Sequence, residues 1–189
     1  MLKMFDLAGA DSARRFRPYC WRMRRALAHM GLEVETIPWR FTEKAALAPA
    51  GRAMSRHYSS LGDVPIGSVA PFVVHDMYEH IDVADKAYFR ASREKRFGKS
   101  LEDVVAGREA RLPAFRDSLT AMRVTLKHQP FFGGTSPLYA DYALFGAFQW
   151  ARCVSPFQLL AADDPVAQSR GRLPDAFDGL ARKAPGYDA

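Results

Sequence analysis

The sequence has few cysteines and no long apolar run. It contains two cysteines among 189 residues, too few for a disulfide framework, so we expect a protein of the reducing cytoplasm. The longest apolar stretch, Ala143–Ala151, is interrupted by Gln149 and is far shorter than the ~20 residues that span a bilayer. The N-terminus carries Asp6 and lacks the apolar core of a secretory signal. We therefore expect neither a membrane protein nor an exported one.

Positive charge exceeds negative charge, with 27 Lys and Arg against 21 Asp and Glu. The arginines are concentrated in segments 14–25 and 90–96. No helix-turn-helix, zinc-finger or RNA-binding motif accompanies them, so nucleic acid is not an expected partner and solvated helix faces are the simpler interpretation. A basic site mouth that attracts an anionic small molecule is an alternative interpretation.

The first 38 residues have the pattern of a β-α-β unit. Leu2–Leu7 is a short β-prone run, and Pro18 can open a helix because the first helical turn needs no N–H donor there. Apolar residues then recur at three- and four-residue spacing up to Gly31. A second β-prone run over 32–37 is predicted to end at Pro38, which cannot donate to a sheet.

The rest of the chain has helical patterns, and its composition changes near residue 49. We therefore predict two domains, a partial β-α-β unit over 1–48 and an all-helical domain over 49–189. Acidic capping patterns at Asp82 and Ser100 mark two helix starts, and the segment Tyr139–Val154 is apolar on every face, as expected at the centre of a bundle.

Three further features of the helical region are predicted from breaker residues. The chain is expected to turn at 62–65, and one long helix is expected over 101–126, bent near its glycine and proline. A last helix is expected to open at Asp164 and Pro165 and to break at Gly171 and Pro174. The resulting fold class is mostly α, with a truncated thioredoxin-like β-α-β unit before an all-α bundle.

Candidate chemistry lies where the first predicted helix begins, at the segment RPYCW over 17–21. Backbone N–H groups and the partial positive charge of a helix N-terminus stabilise a thiolate or another anion there. The segment FRPYCWRMRRALAHMGLEVETIPWRF resembles the N-terminal signature of glutathione transferases, especially the bacterial branch that includes the lignin β-aryl-etherases. The later segments YFRASREKRFG, LEDVVAGREARLPAFR, FFGGTSPLYADYALFGAFQWAR and FDGLARKAPGY are similar to the C-terminal domain of that branch.

This resemblance implies a protein that binds glutathione as co-substrate and transfers it to a small aromatic or other electrophile, by conjugation or by ether cleavage. The family motif places a serine donor where this chain has Arg17, a permanent cation that could hold a thiolate by charge or block the pocket. Ser12 and Tyr19 are alternative hydroxyl donors, whereas Cys20 is expected to be a small core residue.

The same resemblance implies a set of glutathione contacts. Pro18 would lie beside the co-substrate, and the loop Trp39, Arg40, Phe41 and Lys44 would lie near its glycine carboxylate, with Lys44 or Arg40 as the cation. The alternative is a charged loop that only covers the sheet edge.

Because of two departures from the family pattern, the resemblance does not by itself predict catalytic activity. The first is Arg17, and the second is the apparent absence of the half-domain that supplies the Val-Pro strand and the γ-glutamyl-binding pair. Val64-Pro65 is interpreted as a coincidental turn, and RAMSRHYSSL as part of the first helix of the helical domain. A non-catalytic truncated paralogue that binds or scaffolds is therefore the alternative function. A two-stranded remnant also needs support, so we expect a homodimer.

Histidines and aromatic residues give two weaker signals. His75 and His80 are too few to make a metal site, and none is expected. Aromatic residues that could line an electrophile pocket are equally typical of a helical core. They are Tyr78, Tyr142, Phe145 and Trp150.

Overall fold

A computed structural model describes residues 2–43, 63–179 and 181–187, with the backbone alone for 63–66, 170 and 173–178. The chain begins with strand β1 (Leu2–Leu7), helix α1 (Pro18–His29) and strand β2 (Val34–Trp39). The two strands pair in parallel, from Leu2 opposite Val34 to Leu7 opposite Trp39, and α1 is the crossover between them. The predicted β-α-β unit is confirmed.

Strand β2 continues through Pro38, where the sequence predicted its end. The Trp39 carbonyl accepts a hydrogen bond from the Ala8 amide of the β1 side, at 3.0 Å. Because neighbouring residues of a strand direct their polar groups to opposite sides, the ring nitrogen of Pro38 faces away from β1. A proline at that position removes no hydrogen bond from the ladder.

Eight helices occur in the described part of the chain, seven of them after β2. After α1 they are α2 (Asp63–Glu79), α3 (Val83–Phe97), α4 (Leu101–Val105), α5 (Arg108–Ser118), α6 (Thr120–Leu126), α7 (Tyr139–Val154) and α8 (Pro165–Gly179). The fold is thus mostly α, with a thioredoxin-like β-α-β unit, of two strands among the described residues, followed by a helical bundle, as predicted.

The two capping patterns are confirmed as helix starts. Asp82 accepts a hydrogen bond from the Ala84 amide at 3.0 Å, and Ser100 accepts one from the Asp103 amide at 3.1 Å. Each bond satisfies one of the backbone donors that the first turn leaves without an intrahelical partner.

Three predictions about helix breaks were wrong. Val64-Pro65 is not a turn, because both residues lie in the first turn of α2, where a proline needs no N–H donor. The long helix predicted over 101–126 is three helices, broken first at Gly107, whose φ of +63° only glycine adopts easily. Helix α8 runs unbroken through Gly171 and Pro174. The segment RAMSRHYSSL and the 48/49 boundary lie outside the described residues.

Helix α7 is the central element of the core. Nearly all of its side chains are buried, and it packs against both α1 and α2. Its buried aromatic residues include Tyr142, Phe145, Phe148 and Trp150. Helix α7 therefore supports the bundle and also forms the platform on which α1 rests.

Candidate functional site

The first turn of α1 lies at the carboxyl end of the two strands. Arg17 occupies the N-cap position in an extended conformation, its side chain makes no capping hydrogen bond, and Pro18 follows at the first helical position. No acidic residue occurs in this turn. The positive end of the helix dipole is therefore reinforced by Arg17 and is not neutralised within the turn.

A glycine in α7 fixes the position of this turn. A Cβ atom on Gly146 would lie 2.6 Å from the carbonyl oxygen of Pro18 and 3.4 Å from the amide nitrogen of Arg22. The backbones of α1 and α7 approach so closely that only a hydrogen atom fits between them. The candidate site is thus held by backbone packing from below.

Arg17 is exposed, and its guanidinium lies over the ring of Tyr19, with Cζ 5.7 Å from the ring centroid. Among the side chains that the structure describes, no carboxylate oxygen lies within 4.0 Å of its side-chain nitrogens. Residues 44–62, outside the described part, contain no Asp or Glu. Arg17 is therefore an exposed cation at the N-cap of α1, and no carboxylate among the described residues pairs with it.

Of the two alternative hydroxyl donors, only Tyr19 belongs to this turn. Its ring is partly buried, and the guanidinium of Arg22 also lies over it, with Cζ 5.3 Å from the ring centroid. Ser12 is exposed in the loop between β1 and α1, where its carbonyl accepts a hydrogen bond from Nε of Arg15 at 2.6 Å. The structure thus brings Arg17, Pro18 and Tyr19 together, and it places Ser12 in the preceding loop.

Cys20 lies behind the turn. Its thiol is buried, lies 3.7 Å from the carbonyl oxygen of Phe5, and has its pKa raised to about 12 by burial and by the nearby carboxylate of Asp6. The thiol is therefore protonated at neutral pH, and Cys20 has the environment of a core residue and not of a nucleophile.

Asp6 is fully buried beneath α1, and two arginines contact it. Its Oδ2 lies 3.5 Å from Arg24 and 3.8 Å from Arg15. Burial raises the pKa of Asp6, and the opposing charges of Arg24, Arg15 and Arg17, together with a hydrogen bond from Cys20, do not cancel that effect. These buried charges connect the end of β1 to α1 below the candidate site.

The loop after β2 is fastened to the start of α3. The buried carboxylate of Asp85 accepts hydrogen bonds from the amides of Phe41 and Thr42, each at 2.7 Å. Nε of Arg40 lies 3.2 Å from Asp82, and its Nη1 lies 3.8 Å from Glu43. The positive charge of Arg40 is therefore already paired with two carboxylates.

The remaining predicted contact residues of this loop have different environments. Trp39 is buried in the core, and Phe41 is partly buried against the aromatic rings of Trp39, Tyr88 and Phe89. Lys44 lies outside the described residues.

Helix α3 contributes residues that the sequence did not single out. Tyr88 is half exposed beside Phe41, with 5.8 Å between the ring centroids. The guanidinium of Arg93 covers Phe41 and Phe89 at 5.6 Å and 4.9 Å. Arg93 belongs to the basic segment 90–96, and this cluster of charge was its signal in the sequence. The position of the segment in the sequence gave no reason to associate Arg93 with α1.

The aromatic residues weighed as a pocket lining are mostly core residues. Tyr142, Phe145 and Trp150 are almost fully buried, and the Tyr142 hydroxyl contacts Nδ1 of His29. Tyr78 is partly buried against Phe89. The described residues contain no group of three or more His, Cys, Asp or Glu side chains arranged to hold a metal. In the same residues, no helix is both long and apolar enough to cross a membrane.

Solved structures with this architecture are glutathione transferases. A glutathione transferase of Phanerochaete chrysosporium matches with a TM-score of 0.69 at 14% identity, over 94% of this chain and 96% of that one. A glutathione S-transferase of Ceriporiopsis subvermispora, solved with glutathione, matches with a TM-score of 0.68 at 17% identity, over 93% and 97% of the two chains. Another from the same fungus, also solved with glutathione, gives 0.68 at 15%, over 99% of both. These likenesses define the fold.

The family assignment comes from the sequence of the helical region. Residues 54–174 match the family described as the C-terminal domain of glutathione S-transferases. That match covers more than half of the chain, so the protein belongs to the glutathione S-transferase family. The three structures named above are fungal proteins, so they do not confirm the bacterial branch that the N-terminal segment resembles.

Proposed function

We propose that this protein is a glutathione-dependent transferase in which Arg17 holds the glutathione thiolate. The observation that carries the proposal is the cation at the start of α1, exposed, without a paired carboxylate in the described part of the chain, and followed by a turn without acids. A guanidinium beside a helix N-terminus stabilises an anion through charge and through its N–H donors. A thiolate is the anion that this family activates.

In this proposal Arg17 lowers the pKa of the bound thiol, so that its proton leaves to solvent at neutral pH. Pro18 directs the chain into the helix and leaves no N–H group at that position. The ring of Tyr19 packs against the Arg17 guanidinium and so positions that cation at the first turn of α1. The buried Cys20 takes no part in the reaction.

The glycine end of glutathione would approach the loop after β2. Trp39 and Phe41 supply the apolar base of that loop, and the two hydrogen bonds to Asp85 hold its backbone in place. Arg40 is already paired with Asp82 and Glu43, so Lys44 is the better proposed cation for the glycine carboxylate. Arg40 would then fix the loop and make no direct contact.

We further propose that the reaction is a displacement on an aromatic electrophile, by conjugation or by cleavage of an aryl ether. The sulfur forms a bond to carbon, and the leaving group departs with the electron pair of the broken bond. The likeness of the N-terminal segment to the β-aryl-etherase signature supports the ether-cleaving version.

Calorimetry with reduced glutathione, together with turnover of a chromogenic aryl halide, tests the proposal. The wild-type protein should bind glutathione and release halide, and Arg17→Met should weaken both. Lys127 is exposed at the C-cap of α6, so Lys127→Met controls for net charge and should change neither. No heat and no turnover with the wild-type protein would refute the proposal.

A non-catalytic paralogue is the second candidate, and one observation favours it. The described residues contain a sheet of only two strands, which offers little surface for glutathione and needs support from the bundle or from a second subunit. Arg17 would then fill the pocket, so Arg17→Ser would create glutathione binding that the wild-type protein lacks. Sedimentation of the wild-type protein would show whether a homodimer provides the support.

A further inference from the structure

Arg93 on α3 is a partly buried cation with few partners. Its Nη1 donates a hydrogen bond to Oγ of the neighbouring Ser92 at 3.0 Å, and its guanidinium packs on the rings of Phe41 and Phe89. Among the residues that the structure describes, no carboxylate oxygen lies within 4.0 Å of it. None of its five N–H donors therefore bonds a carboxylate of these residues.

Two other arginines that pack on aromatic rings are paired with carboxylates, whereas Arg111, over Phe72, is hydrogen-bonded to backbone carbonyl oxygens. Arg90, three residues earlier on α3, lies over Tyr78 and is paired with Glu94 at 3.0 Å and with Glu102 at 2.9 Å. Arg108 lies over Phe157 and is paired with Asp76 at 2.7 Å. Partly buried charges are normally compensated in this way, so an uncompensated one requires another explanation.

The surroundings of Arg93 add positive charge and apolar surface. Burial lowers its pKa, and the positive charges of Arg96 and Arg17 lower it further, which places Arg93 within electrostatic reach of the α1 turn. The half-exposed ring of Tyr88 and the ring of Phe41 lie beside it. A ligand that carries an anionic group next to an aromatic ring would match the guanidinium of Arg93 and the rings of Tyr88 and Phe41.

We infer that Arg93 binds the carboxylate of the electrophilic substrate, so that the second substrate of this protein is an acidic aromatic compound. This inference rests on the proposed transferase function, because Arg17, which is within electrostatic reach of Arg93, would hold the sulfur. Tyr88 and Phe41 would stack against the ring, and the guanidinium would take the acid group in a charge-assisted pair.

For an aryl chloride the step balances without a further reactant. The glutathione thiolate attacks the ring carbon, a C–S bond forms, the C–Cl bond breaks, and the electron pair leaves with chloride. The thiol proton has gone to solvent beforehand. The carboxylate on Arg93 does not react, so its contribution is to binding and orientation.

Matched substrates provide the test, namely para-chloro-meta-nitrobenzoate and the corresponding benzamide, which differ in charge but little in shape. The kcat/KM ratio of acid to amide is measured for the wild-type protein, Arg93→Met and Arg93→Gln. Methionine keeps the apolar stem over the rings and removes the charge. Lys95→Met removes an exposed positive charge from the same helix and is the control. Intrinsic reactivity cancels when ratios are compared between variants.

We expect both Arg93 variants to lower the acid-to-amide ratio by about tenfold, the factor for losing one charge-assisted pair, with amide turnover retained as the sign of an intact fold. Lys95→Met should leave the ratio unchanged. An unchanged ratio in both Arg93 variants would overturn the inference. So would a loss of glutathione affinity without a change in the ratio, because Arg93 would then hold a carboxylate of glutathione.

A binding measurement separates this inference from the transferase proposal. Calorimetry of the benzoate and the benzamide, without glutathione, reports on Arg93 even if no substrate turns over. Selective binding of the acid that is lost in Arg93→Met would support the anion site while the transferase function failed. Equal binding of acid and amide to the wild-type protein would overturn the site itself.

Discussion

Replacing Gly146 with alanine tests the packing that positions the candidate site. The new Cβ would lie 2.6 Å from the Pro18 carbonyl oxygen, where ordinary contacts begin at 3.4 Å, so the first turn of α1 must move by about 0.8 Å (3.4 minus 2.6). Such overpacking costs about 1–3 kcal/mol, and alanine returns about 0.5–1 kcal/mol through its better helix propensity. We expect a net loss of about 1–2 kcal/mol.

Urea and thermal denaturation measure this loss, which corresponds to a Tm lower by about 2–8 °C for a protein of this size. Gly171→Ala is the matched control, since Gly171 lies within α8, has an ordinary helical φ, and would place its Cβ in open space. That control should gain about 0.5–1 kcal/mol. The moved turn carries Arg17, so Gly146→Ala should also weaken glutathione binding. If the two alanine variants gained stability equally, the described approach of α1 and α7 would be refuted.

Three further outcomes follow from buried groups. Cys20 and Cys153 have pKa values of about 12 because both are buried, so neither should react with a thiol reagent at pH 8 until the protein unfolds, and rapid labelling of the native protein would contradict this. Asp85→Ala should cost about 2–4 kcal/mol in denaturation, because two loop amides lose a charged acceptor, and a loss below about 0.5 kcal/mol would contradict the described contact. The folded pKa of Asp6 is raised above 3.8, so its contribution to stability is full below that pH and is lost as the pH rises through the folded pKa. The difference in stability between wild type and Asp6→Asn should therefore change with pH just above 3.8, and a constant difference would contradict the raised pKa.

Local signals predicted much of the fold. The apolar spacing after Pro18 and the glycine at position 31 predicted helix α1. The capping residues Asp82 and Ser100 predicted the starts of α3 and α4. The continuous apolar character of 139–154 gave the central helix. Each of these features depends on residues close together in the sequence, which is why sequence patterns were sufficient.

Predictions failed where tertiary packing overrides local preference. Helix α8 continues through Gly171 and Pro174, although both residues disfavour a helix interior. Pro38 remains in β2 because the strand has no second neighbour in the described sheet. In both cases the deciding factor is what the element packs or pairs with, which local propensity does not contain.

The candidate site was predictable only in part, because its sequence-distant partners decide its chemistry. The motif at 17–21 located the turn, but it did not reveal that Arg17 has no paired carboxylate among the described residues. The loop pattern suggested Arg40 as a ligand, whereas Asp82 and Glu43 already pair with it. Arg93 became a candidate only when the fold placed it beside Phe41.

The most direct test of the proposed role of Arg17 is the pKa of glutathione bound to the protein. It is read from the ultraviolet absorbance of the thiolate as pH is varied, for the wild-type protein, Arg17→Met and Lys127→Met. We expect a wild-type pKa well below the ~8.5 of free cysteine, a value about 1 higher in Arg17→Met, and no change in Lys127→Met. A bound thiol that titrates at its free value in the wild-type protein, or equally in all three, would contradict this role.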